Sequence, residues 1–256
     1  MFTVPNFSDE KALYAYLVEK EDDIFYAKKL ELKKADGFMG NSIITKSFDF
    51  ASKANLIDSE SIDAVLVINT TKLLDSHQDV HIDGLWDKSL AENKRIKHLQ
   101  EHKMTFDSII ADKDDLNAYV KNFSWKELGY NAKGDTQALV FESKIRKERN
   151  LYMFEQYAKN NVDNHSVGMV YVKMVTCIND NDYPVQQENY EKYAPMVANQ
   201  KALKTRNFFW AVTEAMVKEG SAVPMGSNFI TPTISVKTIE DIKNKSLESY
   251  KNWLTS

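Results

Sequence analysis

The sequence predicts an α+β domain in which strands outnumber the core helices. Two observations carry this expectation. Short runs rich in β-branched and aromatic residues recur between Gly, Asn, Asp and Pro breaks, while helical spacing is confined to a few segments. A third sets the scale: 43% of the 256 residues are hydrophobic, enough for one sizeable core or two small ones.

The elements follow in chain order. Residues 8–34 favour helix, with Leu13, Tyr16 and Leu17 at spacings of three and four, and a second helix over 24–32 ends before the Gly37-Phe38-Met39-Gly40 break. Residues 63–69 contain Ala64-Val65-Leu66-Val67-Ile68, which reads as a buried strand, and Asp83-Gly84 marks a turn before a helix over 86–94. Further strands are expected over 105–111, 119–123, 137–141 and 166–175. A helix over 150–160 carries Leu151, Phe154, Tyr157 and Ala158 on one side. The Tyr-rich segment near 178–206 reads as an insertion with some helix, and a strand resumes over 208–223. There, alternation places Ala215, Val217 and Glu219 on one face and Glu214, Met216 and Lys218 on the other. Residues 239–254 form the expected terminal helix. The organisation predicted is a mainly helical N-terminal extension over 1–61, a core over 62–235, and a C-terminal helical segment over 236–256.

Composition excludes several classes of function. Lys and Arg number 33 against 37 Asp and Glu, a net charge of −4, which argues against a surface built for phosphate backbones, so nucleic acid is not an expected partner. No run of about 18 apolar residues occurs, so no membrane partner is expected. Cys177 is the single cysteine and cannot close an internal disulfide, and Met1-Phe2-Thr3-Val4-Pro5 lacks the basic and apolar run of a secretory signal. A reducing compartment is therefore expected. With 8 Gly and 5 Pro there is little room for flexible low-complexity linkers, and no internal repeat is visible.

Two chemistries are compatible with the polar residues. A serine hydroxyl needs a histidine to take its proton and a third group to fix that histidine's tautomer. Ser166 and His102 supply the first two, and Glu219 or Glu214 the third. The rival is His98-Leu99-Gln100-Glu101-His102, an H-x-x-E-H pattern that would put two imidazoles on a zinc ion if the block were helical. His77 and His81 flank Asp79 and would also pair on a helix, but Asp83-Gly84 makes a solvated loop the better expectation. Gly168 is a place where a backbone could approach substrate, or a packing glycine. His165 should project to the face opposite Ser166 and act as support or bystander. Tyr183, Tyr190, Tyr193, Phe208, Phe209 and Trp210 could line a peptide groove, although such stripes usually form core.

Several blocks in order resemble the tailed-phage prohead (capsid maturation) protease family. They are Val65 to Thr71 followed by Gln78-Asp79-Val80 and Gly84, then His102 after an apolar segment, then His165-Ser166-Val167-Gly168-Met169 after a helix, then Glu214 to Asn228 with Glu219, Ser221 and Val223. Together they run from Ile62 to Pro232. The departures are Gln78 where the family has glycine, Glu101 and Lys103 beside the histidine, Met169 for phenylalanine, Pro224-Met225-Gly226-Ser227 for Pro-Ala, and the segment between Val175 and Asn207. The resemblance implies a closed β-barrel wrapped by helices, similar to the herpesvirus assemblin proteases. It also implies a serine endopeptidase that cuts scaffold, major capsid protein and itself inside the prohead in the host cytoplasm, without a cofactor or metal and with a possible homo-oligomeric state. Carried over, Ser166 is the nucleophile, His102 the base, and Glu219, ahead of Glu214, the third member. A capsid-assembly or scaffold-binding protein keeping the fold without catalysis is the alternative, and the zinc protease a more distant one.

Overall fold

The structure is a computed structural model that describes residues 4–30, 49–50, 53–93, 95–238 and 241. Its helices are α1 (Glu10–Glu19), α2 (Glu21–Leu30), α3 (Lys53–Asp58), α4 (Asp87–Glu92), α5 (Leu151–Ala158), α6 (Pro184–Tyr193) and α7 (Gln200–Arg206). The strands are β1 (Asp49–Phe50), β2 (Ser61–Thr70), β3 (Asp79–His81), β4 (Lys97–Gln100), β5 (Ile109–Asp112), β6 (Leu116–Ser124), β7 (Asp135–Arg146), β8 (His165–Ile178), β9 (Phe208–Ala222) and β10 (Thr233–Lys237). The expected α+β class is what forms. The segment near 178–206 contains α6 and α7, and the Gly37 to Gly40 break and most of the C-terminal helix lie outside the described residues.

The strands make two five-stranded sheets. The first runs β1-β10-β2-β7-β6, antiparallel except for the β1/β10 pair. The second is organised around β9, whose 15 residues pair with β8 along one edge and with β3, then β4, in parallel along the other; β5 follows β4. The closed barrel is not formed, because both sheets stay open. At the outer edge of β8 the next backbone groups are met by a side chain rather than a strand: the Thr231 hydroxyl accepts from the His165 N–H at 3.1 Å and donates to the His165 carbonyl at 2.9 Å. A threonine there satisfies the outward backbone groups of His165 in place of a neighbouring strand.

The main core lies between the sheets and under the helices. Leu66, Ile68, Leu139 and Phe141 from the first sheet meet Val167, Met169, Val212 and Val217 from the second, with Phe154 and Tyr157 of α5. Tyr14, Leu17 and Ile24 of α1 and α2 belong to the same core, so the described N-terminal helices are built into the domain rather than appended to it. α1 begins where the Asp9 carboxylate accepts from the Ala12 N–H at 2.8 Å, an N-cap worth about 1 kcal/mol. From α2 the Lys28 ammonium reaches Asp79 at 2.6 Å and lies 3.9 Å from the centre of the Trp210 ring.

Candidate active site

The site grows from the last rungs of β9. Pairing with β8 runs Ser166 to Ser221, Val167 to Gly220 and Gly168 to Glu219, then jumps to Met169 opposite Val217, leaving Lys218 as an extra residue. That bulge breaks the period-two alternation expected over this strand. Directly opposed residues share a face, so Glu219 sits with Gly168, Ser166 and Ser221, turned away from Val217 and Ala215 in the main core. An ideal Cβ on Gly168 would lie 1.8 Å from Glu219 Oε1. Gly168 is therefore glycine because the carboxylate lies over its backbone, a reason that neither substrate approach nor apolar packing supplied.

His102 arrives from β4. The Gln100 carbonyl accepts from the Lys103 N–H at 3.0 Å, and the two residues between, Glu101 and His102, have φ of 52° and 56°. These are the left-handed central positions of a primed tight turn, unusual for residues with side chains and costing on the order of 1–3 kcal/mol each. The turn is held from β9: the Ala222 carbonyl accepts from the Glu101 N–H at 3.0 Å, and the Ser221 hydroxyl oxygen accepts from the His102 N–H at 3.0 Å. His102 Nδ1 then lies 2.6 Å from Glu219 Oε1, and Ser221 donates to Glu219 Oε2 at 2.6 Å.

These contacts set the protonation pattern. Glu219 is fully buried, and an ionised carboxylate out of water stands only where charge-assisted hydrogen bonds replace its hydration. Nδ1 must carry the proton it gives to Glu219, which leaves the Nε2 lone pair free. Nε2 is buried and has no partner among the described residues. Ser166, 6% exposed, stands on the neighbouring rung of the same face, opposite Ser221. The arrangement presents an imidazole with one nitrogen open and a carboxylate orienting the other, with Ser166 on the same strand face as that carboxylate and not hydrogen-bonded to Nε2.

The other candidates separate from this cluster. Glu214 is drawn to Lys173 at 2.5 Å and Lys88 at 3.7 Å, and its carboxyl is held below the usual range chiefly by the Lys173 hydrogen bond. The H-x-x-E-H block is strand and turn rather than helix, so its two histidines are not stacked on one helical face. Glu101 is exposed and pairs with Lys103 at 2.6 Å, while His98 has both nitrogens engaged, Nδ1 with Ser143 at 2.8 Å and Nε2 with the Tyr157 hydroxyl at 3.0 Å. His165 is a buried support: Nδ1 meets the Thr231 carbonyl at 2.8 Å and Nε2 the Tyr157 hydroxyl at 3.0 Å. His81 departs from the solvated loop expected of it, since β3 buries it and Asn69 and Tyr171 hold its two nitrogens, each at 3.0 Å. Asp75 and His77 of the preceding turn come together with Asp79 at the start of β3, where Asp79 is already bound by Lys28 and Tyr171. Phe208, Phe209, Trp210 and Tyr193 are buried core residues rather than a groove lining.

Ser221, which the sequence showed only as part of the block around Glu219, takes a place in the site that sequence reasoning had not given it. Its signal was present, because two residues after Glu219 on a strand is the same face. No protein-family model, curated protein or solved structure matches this chain.

Proposed function

We propose that this chain is a serine endopeptidase of the kind that matures tailed-phage proheads, cutting scaffold, major capsid protein and itself inside the immature capsid in the host cytoplasm. The observation that carries the proposal is the Glu219 to His102 hydrogen bond at 2.6 Å, which leaves Nε2 without a partner among the described residues while Ser166 shares the strand face of Glu219. The ordered sequence blocks supply the substrate class and the setting.

Catalysis by these groups proceeds in two halves. The Ser166 hydroxyl oxygen attacks the scissile carbonyl carbon as its proton passes to His102 Nε2, and Glu219 stabilises the imidazolium so formed. The imidazolium then gives that proton to the leaving amine as the C–N bond breaks, leaving an acyl ester on Ser166. Water enters by the reverse sequence, releasing the new carboxyl end and restoring the hydroxyl.

Co-expression with the scaffold and capsid protein of its own phage tests this. Wild type is expected to yield truncated products by mass spectrometry, and Ser166→Ala none. Equal processing by the two would reject the assignment, and an assembled shell with uncut proteins from wild type would leave a non-catalytic assembly role instead.

A further inference from the structure

The hydrogen-bonding phase of β8 singles out one backbone amide beside the nucleophile. The Asn164 carbonyl accepts from the Val223 N–H at 3.1 Å, which makes 164/223 a bonded pair of the antiparallel ladder. Bonded and non-bonded pairs alternate. With the register Ser166 to Ser221 and Gly168 to Glu219, the groups of 166 and 168 turn toward β9, while those of 165 and 167 turn to the outer edge. The outer edge at 165 is closed by Thr231. At Val167 the same phase turns the N–H and C=O away from β9, and among the described residues neither bonds to a loop, turn or side chain there, although the residue is only 6% exposed.

A buried, unpaired strand amide is rare, because leaving it unsatisfied costs about 1–3 kcal/mol. Here it borders a cavity of about 10 Å3, room for the centre of one water, lined by Ser166, Val167, Asn69, Ser227 and Asn228 among others. Asn228 cannot supply a donor there without breaking its present bonds, since its amide nitrogen is given to Asn69 at 2.6 Å and to Thr70 at 2.9 Å. Building on the serine peptidase assignment above, we infer that the Val167 N–H is an oxyanion donor, and that the cavity receives the single oxygen of the tetrahedral intermediate formed on Ser166. The residue after the nucleophile is well placed for this, because its amide is fixed by the ladder and needs no rearrangement as charge develops.

The test uses the full chain and a fluorophosphonate. Ser166 Oγ forms the bond to phosphorus, fluoride leaves, the serine proton goes to His102, and the phosphonyl oxygen stands where the oxyanion would. Replacing Val167 by its α-hydroxy acid turns the N–H into an ester oxygen with the side chain kept, and is expected to slow phosphonylation by about 10²- to 10³-fold. An undiminished rate in the folded ester variant would overturn the inference. If that variant fails to fold, the wild-type Val167 amide resonance decides: it is expected to move more than any other β8 amide on phosphonylation. A Val167 resonance unmoved while Ser166 carries the adduct means the cavity holds a structural water only, and the inference fails. Absence of any adduct on wild-type Ser166 is a different result, which counts against the peptidase assignment itself.

Discussion

Glu219 makes two short hydrogen bonds with one carboxylate, and each carries a separate consequence. Glu219→Gln keeps the shape but offers an N–H or a carbonyl to His102 in place of a pure acceptor, so the imidazole can settle with the proton on Nε2, facing Ser166. In serine peptidases the corresponding loss of the orienting carboxylate costs on the order of 10⁴ in turnover. A comparable fall in kcat, with little change in melting temperature, is expected in peptide cleavage assays. Gly168→Ala puts a methyl group 1.8 Å from Glu219 Oε1, so the carboxylate must leave its place. Loss of activity together with about 1–3 kcal/mol of destabilisation is expected by denaturant titration. At this scale the sequence showed the serine, the histidine and both acids. It could not choose between the acids by alternation, because a bulge at Lys218 decides which way Glu219 points, and a bulge leaves no mark in composition.

Between elements, one chain of hydrogen bonds ties β7, β4, α5 and β8 together behind the site. The Thr231 carbonyl can only accept, so His165 Nδ1 carries the proton and its Nε2 accepts from Tyr157. The Tyr157 oxygen then accepts from His98 Nε2–H, and His98 Nδ1 accepts from Ser143. Every group is satisfied with both imidazoles neutral. Burial lowers His165 to about 4, with the Thr231 bond opposing, and takes His98 well below its usual value. A histidine near 6.5 when unfolded binds its proton there first, so stability is full above about pH 6.5 and is lost as pH falls from there toward 4. His165 alone contributes about 3 kcal/mol to that loss. Thermal melts between pH 7 and pH 4 are expected to drop steeply for wild type, and less steeply for His165→Gln. The longer strands were legible, since 137–141 and 166–175 lie inside β7 and β8. β3 and β4 were not read as strands from pattern, being three and four residues long and held by pairing to β9 rather than by their own periodicity. Residues 106–108 formed a 3-10 turn where strand was expected, leaving only Ile109–Asp112 to pair with β4.

For the molecule as a whole, the described N-terminal helices share the core with the site's scaffold. Lys28 and Asp79 are 3% and 0% exposed, so removing one partner strands a buried charge. Lys28→Met is expected to lower stability by about 3–5 kcal/mol in chemical denaturation. A negligible change would make α2 a removable flank after all. Nothing in hydrophobic pattern foretold this tie, because a helical lysine reads as surface until the fold brings an aspartate to it. The expected barrel does not form because the strands divide into two open sheets, and at His165, the first residue of β8, the Thr231 hydroxyl rather than a further strand meets the backbone.

Mass mapping of the intact chain after fluorophosphonate treatment tests the central pairing most directly. A single adduct is expected, on Ser166, formed at least about 10²-fold more slowly in His102→Ala, in line with the usual contribution of a general base. A folded wild-type protein whose Ser166 stays unmodified, or is modified equally fast without His102, would contradict it.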